Sequence, residues 1–88
     1  MLKVIGLLER NGPNLSRPFA DHIKGSSIKN LKELRIQWHG DPYRILFVFA
    51  PKRNAVLLLG GNKAGDKNWY DKNIPIAEQR FKEHLKII

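Results

Sequence analysis

Residues 31–61, LKELRIQWHGDPYRILFVFAPKRNAVLLLGG, decide the fold, because two turn-like breaks divide them into three strand-like runs. In the first run (31–38), Leu34, Ile36 and Trp38 fall on one face, and Glu33, Arg35 and Gln37 on the other. The second (43–50) sets Tyr43, Ile45, Phe47 and Phe49 against Arg44, Leu46, Val48 and Ala50. The third (55–61) is apolar up to its glycines, the pattern of a strand buried on both faces. The links His39-Gly40-Asp41-Pro42 and Pro51-Lys52-Arg53-Asn54 are short enough to make antiparallel hairpins. A three-stranded meander is therefore expected at the centre of the fold. Loop length suggests a register with Trp38 opposite Tyr43, Gln37 opposite Arg44, Ala50 opposite Ala55 and Arg44 opposite Gly61.

The flanks read as helices. LKVIGLLE (2–9) has apolar residues at spacings of three, and Asn11-Gly12-Pro13 stops it. It has neither cap nor lead-in, as though the chain began inside an element. Residues 13–30, with two prolines, one glycine and several small polar residues, read as an extended loop with one helical turn. IPIAEQRFKEHLKII (74–88) predicts a closing helix with Pro75 in its first turn and Glu78 near its positive end. Its stripe of Ile74, Ala77, Phe81, Leu85 and Ile88 is expected to cover the Leu34/Ile36/Phe47/Phe49 face. The fold class is thus α+β, with an N-terminal and a C-terminal helix packed on one face of the sheet.

Eighty-eight residues make one domain at most. Sixteen Lys and Arg against eight Asp and Glu give a net charge of +8, a field that attracts polyanions. RNA, DNA or an acidic protein would satisfy it, and a basic surface serving only solubility is the plainer explanation. No cysteine is present, which removes disulfides and thiolate metal sites. His22, His39 and His84 lack ligand spacing, so neither a metal site nor a cofactor is expected. The apolar start is too short to span a bilayer and lacks a cleavage site, which points to a cytoplasmic protein without a membrane partner.

The third run opens into GGNKAGDKNWY (60–70). In the expected register Arg35, Gln37, Arg44 and Gly61 share a face turned away from the closing helix, with Lys63 and Lys67 at the same end. Convergent cations of this kind are destabilising without an anion, and arginine offers a planar fork to phosphate. Trp69 and Tyr70 either present faces to a nucleotide base or plug the end of the core, and the plug is preferred for Trp69. Glu33 or Asp66 is the alternative, purely structural ion-pair partner for Arg35, and Trp38 and Tyr43 suit a cross-strand packing pair.

The segments LLERNGPNLSRPFADHIKGS, LKELR, YRILFVF, GGNKAGDK, WY and IPIAEQR, in this order, resemble the RelE/HigB superfamily of type II toxin–antitoxin toxins, most closely its phage-derived branch. The resemblance runs over essentially the whole chain. It implies a ribosome-dependent mRNA endonuclease in the cytoplasm, with the ribosome and mRNA as targets and a cognate antitoxin, usually of helix-turn-helix type, as partner. It also implies a strand and a helix ahead of VIGLLERNGP, so residues 1–88 are expected to form a single RelE-like toxin domain, N-terminally short. A missing strand would leave an open sheet edge and invite a homodimer.

RNA cleavage of this class uses the 2′-OH as internal nucleophile and needs no metal. Arg44 and Arg35 are the candidates for transition-state charge stabilisation, Lys63 and Lys67 for phosphate positioning and proton transfer, and Tyr70 for stacking or substrate orientation. Glu33 is either a general base or the partner of Arg35. RNA binding is assigned to Arg35, Arg44, Lys63, Lys67, Trp69 and Tyr70. The alternative is a catalytically inactive remnant that binds RNA or an antitoxin without cleavage.

Overall fold

The computed structural model of the chain describes residues 2–50 and 54–87. Helix α1 (Leu2–Asn11) passes through one 3₁₀ turn (Gly12–Asn14) into strand β1 (Ala20–His22). Strands β2 (Lys32–Trp38), β3 (Asp41–Phe49) and β4 (Ala55–Asn62) follow, and helix α2 (Trp69–Lys86) closes the chain. The α+β class stands, but the antiparallel sheet has four strands in the order β1-β2-β3-β4, not three. The added strand lies inside the stretch expected to be loop. Its three residues, paired with Leu34, Glu33 and Lys32, are too few to reveal an alternation in sequence.

Gly12, at φ +54°, ends α1 where the Asn-Gly-Pro signal foretold. The β2–β3 hairpin differs from expectation. His39 and Gly40 both adopt positive φ, as a two-residue hairpin turn of the primed kind requires. Trp38 therefore pairs with Asp41, Ile36 with Tyr43 and Arg35 with Arg44, and Asp41 and Pro42 join β3. The slip is two residues, an even number, so every side chain keeps its face. At the next hairpin Phe49, not Ala50, pairs with Ala55; the expected link Pro51-Lys52-Arg53 lies outside the described residues. Leu46 then pairs with Leu59 but Phe47 with Leu57, which leaves Leu58 as a bulge. That extra residue restores Arg44 opposite Gly61, as expected.

The helices lie on opposite faces of the sheet. One core gathers Leu8 and Leu15 with Leu34, Ile36 and Phe47, so α1 covers the face expected to lie under α2. The other gathers Leu46, Val48 and Leu58 with Trp69 and Ala77 of α2, and it lies on the face that carries Arg35 and Arg44. Nor is β4 buried on both sides: it is an edge strand, and Leu57 is 50% exposed. The stripe of α2 is buried at Ala77 and half-buried at Ile74 and Phe81. Leu85 is largely exposed, and Ile88 lies outside the described residues.

Helix α2 begins five residues before the position that Pro75 suggested, and Pro75 stands inside it. Asp66 organises the start: its Oδ1 accepts from the backbone N–H of Asn68 at 3.0 Å, and Lys72 pairs with its carboxylate at 3.3 Å. The carbonyl of Trp69 also accepts from Asn73 Nδ2 at 2.7 Å, which adds a side-chain bond in the turn ahead of the proline. Trp69 and Tyr70 thus belong to a helix rather than to a loop.

Candidate functional site

Directly opposed arginines repel unless something neutralises them. Arg35 and Arg44 are such a pair, on neighbouring strands and on one face. The neutralising group is Glu33, two residues before Arg35 on the same face and only 3% exposed. Its Oε2 accepts from Arg35 Nε at 3.3 Å and from Nη2 at 3.2 Å. Its Oε1 accepts from the Tyr70 hydroxyl at 2.5 Å. Arg44 Nε stands 3.3 Å from the same Oε1, an ion-pair distance off the line of a hydrogen bond, and is otherwise buried without a partner. Arg44 Nη1 donates to the carbonyl of Tyr43 at 3.0 Å.

A second carboxylate extends the cluster. Asp21 on β1 accepts from Arg35 Nη2 at 3.3 Å and pairs with Arg17 at 2.7 Å. The Arg17 guanidinium and the backbone N–H of His22 hold the Asp21 carboxyl below its usual range. Three guanidinium groups therefore meet two carboxylates. Sequence reasoning expected the cations to converge and missed most of what accompanies them. Arg17 and Asp21 lie in the stretch expected to be loop, and only pairing of β1 with β2 brings them to Arg35. Glu33 was legible as a partner of Arg35 from its spacing of two on an alternating strand. Asp66, the other expected partner of Arg35, instead pairs with Lys72.

The first turn of α2 sits over this face. Trp69 is 4% exposed within the core and abuts Gly61, where an added Cβ would lie 3.3 Å from its Nε1. Its ring plugs the end of the core and leaves no open face for a base. Tyr70 is half-buried and meets Trp69 edge-on at 5.3 Å. Burial first, and the bond to Glu33 second, raise the Tyr70 phenol above its ordinary pKa. Lys63 Nζ stands 5.2 Å from the centre of the Tyr70 ring. Lys67 is exposed and joins none of these contacts among the described residues. The structure thus unites Arg35, Arg44, Tyr70 and Lys63, buries Trp69 beside them and leaves Lys67 in solvent.

An open groove of about 610 Å³ runs along this face between β1 and α2, walled by Arg17, His22, Lys24, Glu33, Arg35 and Tyr70. The oxygens of Glu33 are taken by Tyr70, Arg35 and Arg44, so a substrate hydroxyl would have to displace one of them. What the site offers a ligand is positive charge held in fixed orientation.

Comparison with known proteins agrees with the resemblance read from the motifs. The family described as "Phage derived protein Gp49-like" matches residues 1–82. "Putative toxin HigB3" of Mycobacterium tuberculosis (strain ATCC 25618 / H37Rv) is 55% identical over 82 residues, which cover 92% of this chain and 70% of that protein. "Putative toxin HigB2" of the same strain is 48% identical over 83 residues, covering 92% of this chain and 41% of that protein. No solved structure gives a significant match.

Proposed function

Because this chain belongs to the phage-derived Gp49-like family and is similar to HigB/RelE-type toxins, we propose that it is the toxin of a type II toxin–antitoxin pair, one RelE-like domain that acts in the cytoplasm as a ribosome-dependent mRNA endonuclease. The observation that carries the proposal is the setting of Arg44. Its Nε faces buried Glu33, its Nη1 is tied to the Tyr43 carbonyl, and the Tyr70 hydroxyl lies beside the guanidinium, while the side chain as a whole keeps 14% exposure. A guanidinium held in fixed orientation by its neighbours and still partly exposed suits a phosphate that gains negative charge in the transition state.

The reaction is attack of the RNA 2′-oxygen on the adjacent phosphorus with loss of the 5′-oxygen. It yields a 2′,3′-cyclic phosphate and a 5′-hydroxyl. The proton of the 2′-hydroxyl leaves to solvent, and the departing 5′-oxygen takes one from the ammonium group of Lys63. Arg44 and Arg35 stabilise the charge on the phosphorane, and Lys67 attracts the strand from the exposed loop. Tyr70, which keeps its proton at neutral pH, holds Glu33 in place and offers its ring edge to the substrate. The antitoxin is expected to cover the open edge of β4, where Leu57 borders an apolar groove with Ile5, Leu8 and Phe49. Among the described residues no helix is long and apolar enough to cross a membrane.

Primer extension on an mRNA in an in vitro translation reaction tests the proposal, with Arg44→Ala in parallel. New cuts within the translated frame that vanish in the variant are the expected result. A second reading, a module that binds RNA or antitoxin without cutting, is favoured by one observation: Arg35 is already engaged by Glu33 and Asp21. Tight RNA binding by a folded chain that makes no cuts would establish it.

A further inference from the structure

Strand β1 is shorter than its neighbour β2, and the difference leaves part of a sheet edge open beside the arginines. Pairing with β1 stops at Ala20–Leu34, and a final bond runs from the Arg35 N–H to the Phe19 carbonyl at 2.7 Å. In an antiparallel strand the N–H and C=O of alternate residues point to the same side. Arg35 points toward β1, so Gln37 does as well, at a place where β1 has already ended. The opposite side of the sheet agrees. Gln37 pairs with Pro42, which has no N–H to give, and the Pro42 carbonyl turns the other way to accept from Lys63 N at 2.9 Å. The backbone N–H and C=O of Gln37 therefore face a cleft with no protein partner among the described residues.

That cleft has a volume of about 370 Å³ and is bordered by Val4, Pro18, Phe19, Gln37 and both Arg35 and Arg44. The volume lies in the range of small-molecule sites, at roughly 300–1,000 Å³. Phe19 is 39% exposed and gives the cleft an aromatic surface. Resting on the ribonuclease reading above, we propose that this cleft is a nucleobase subsite, which seats the base next to the scissile phosphate while Arg44 holds that phosphate. A base stacks on Phe19, and its polar edge meets the paired donor and acceptor of the Gln37 backbone and the exposed Gln37 carboxamide. An extended peptide fits less well. The free edge presents one outward-facing residue, too little for strand addition, whereas β4 presents a whole strand. Positive charge at one wall and a stacking surface at another are what a nucleotide asks of a site.

The test is a titration of the intact chain with each of the four nucleoside 3′-monophosphates, followed by backbone amide NMR shifts, with ribose 5-phosphate and an extended acidic peptide as controls. Shifts of the Gln37 and Arg35 amides with nucleotides, but not with ribose 5-phosphate, are expected. Phe19→Ala should weaken them about five- to tenfold, by loss of stacking, and Gln37→Ala should alter the ranking among bases. Both positions are exposed, so neither change threatens the core. Equal response to ribose 5-phosphate would mean a phosphate site only and overturn the proposal. A Gln37 response to the peptide alone, or nucleotide shifts indifferent to both variants, would overturn it as well. The titration does not depend on cleavage, so failure of the subsite and failure of the ribonuclease reading are separately visible.

Discussion

Tyr70 on α2 donates its hydroxyl to Glu33 on β2 at 2.5 Å, joining residues 37 positions apart. The bond locks the first turn of the closing helix to the strand that carries Arg35, and it meets the buried carboxylate between the two arginines. Tyr70→Phe keeps the ring and removes the donor. It should lower stability by about 2 kcal/mol, as expected when a charged acceptor loses a buried partner. Urea denaturation checks this, and an unchanged midpoint would show that the bond contributes nothing.

Removal of Glu33 should be more severe. Glu33→Ala leaves Arg44 and Arg35 facing each other with no anion between them, and breaking a buried pair from one side is destabilising by roughly 3–5 kcal/mol. The lower end applies, since the Arg35 side chain is 34% exposed. Glu33→Ala combined with Arg44→Met removes both charges and should recover part of the loss. Thermal unfolding of the single and double variants reads this as a coupling.

Gly61 and Trp69 are a tight fit. A Cβ at Gly61 would lie 3.3 Å from the indole Nε1, and valine would push the ring and the start of α2 away. Gly61→Val should destabilise by about 1–3 kcal/mol through overpacking. A red shift of tryptophan emission should accompany it as the buried ring meets water. Trp38, already 47% exposed, contributes a constant background.

Acid should loosen the anchor between α2 and the β1–β2 loop. Glu78 accepts from the Ser27 N–H at 2.6 Å and from the Ser26 and Ser27 hydroxyls at 2.8 Å each. These bonds, the backbone one foremost, hold its carboxyl below the ordinary value of 4.5. A carboxyl with a depressed folded-state pKa contributes stability above its unfolded value, and that stability is lost as pH falls through the folded one. Glu78→Gln should therefore melt below wild type at neutral pH, with the gap narrowing as pH drops under 4.5. A gap independent of pH would contradict the assignment.

Much of this was legible in the alternation of residues 31–50, which set the side chains of β2 and β3 on their proper faces. Over 55–57 the expected register was one residue off, so those side chains lie on the faces opposite to the expected ones. A register slip of two at His39-Gly40 did no harm, because faces repeat every second residue. Arg44 kept its place opposite Gly61 only because the Leu58 bulge made up for a misjudged turn. The choice of face for each helix was not legible. Both faces of β3 are apolar, Ile45, Phe47 and Phe49 on one and Leu46 and Val48 on the other, so either would accept either helix. Ala20-Asp21-His22 was too short to announce a strand, and with it went the Arg17–Asp21–Arg35 contacts. Pro75 misled the start of α2, because proline marks a first turn more often than an interior.

The central claim is that the Arg44 site cuts RNA through the 2′-hydroxyl, and the chemistry of the fragment ends tests it most directly. Fragments from a translation reaction with the purified chain would be recovered and their termini analysed, with Arg44→Ala as the control. The expected result is 2′,3′-cyclic phosphate or 3′-phosphate on one fragment and 5′-hydroxyl on the other, both absent with Arg44→Ala. Fragments ending in 3′-hydroxyl and 5′-phosphate, or no fragments from a chain that folds, would contradict it.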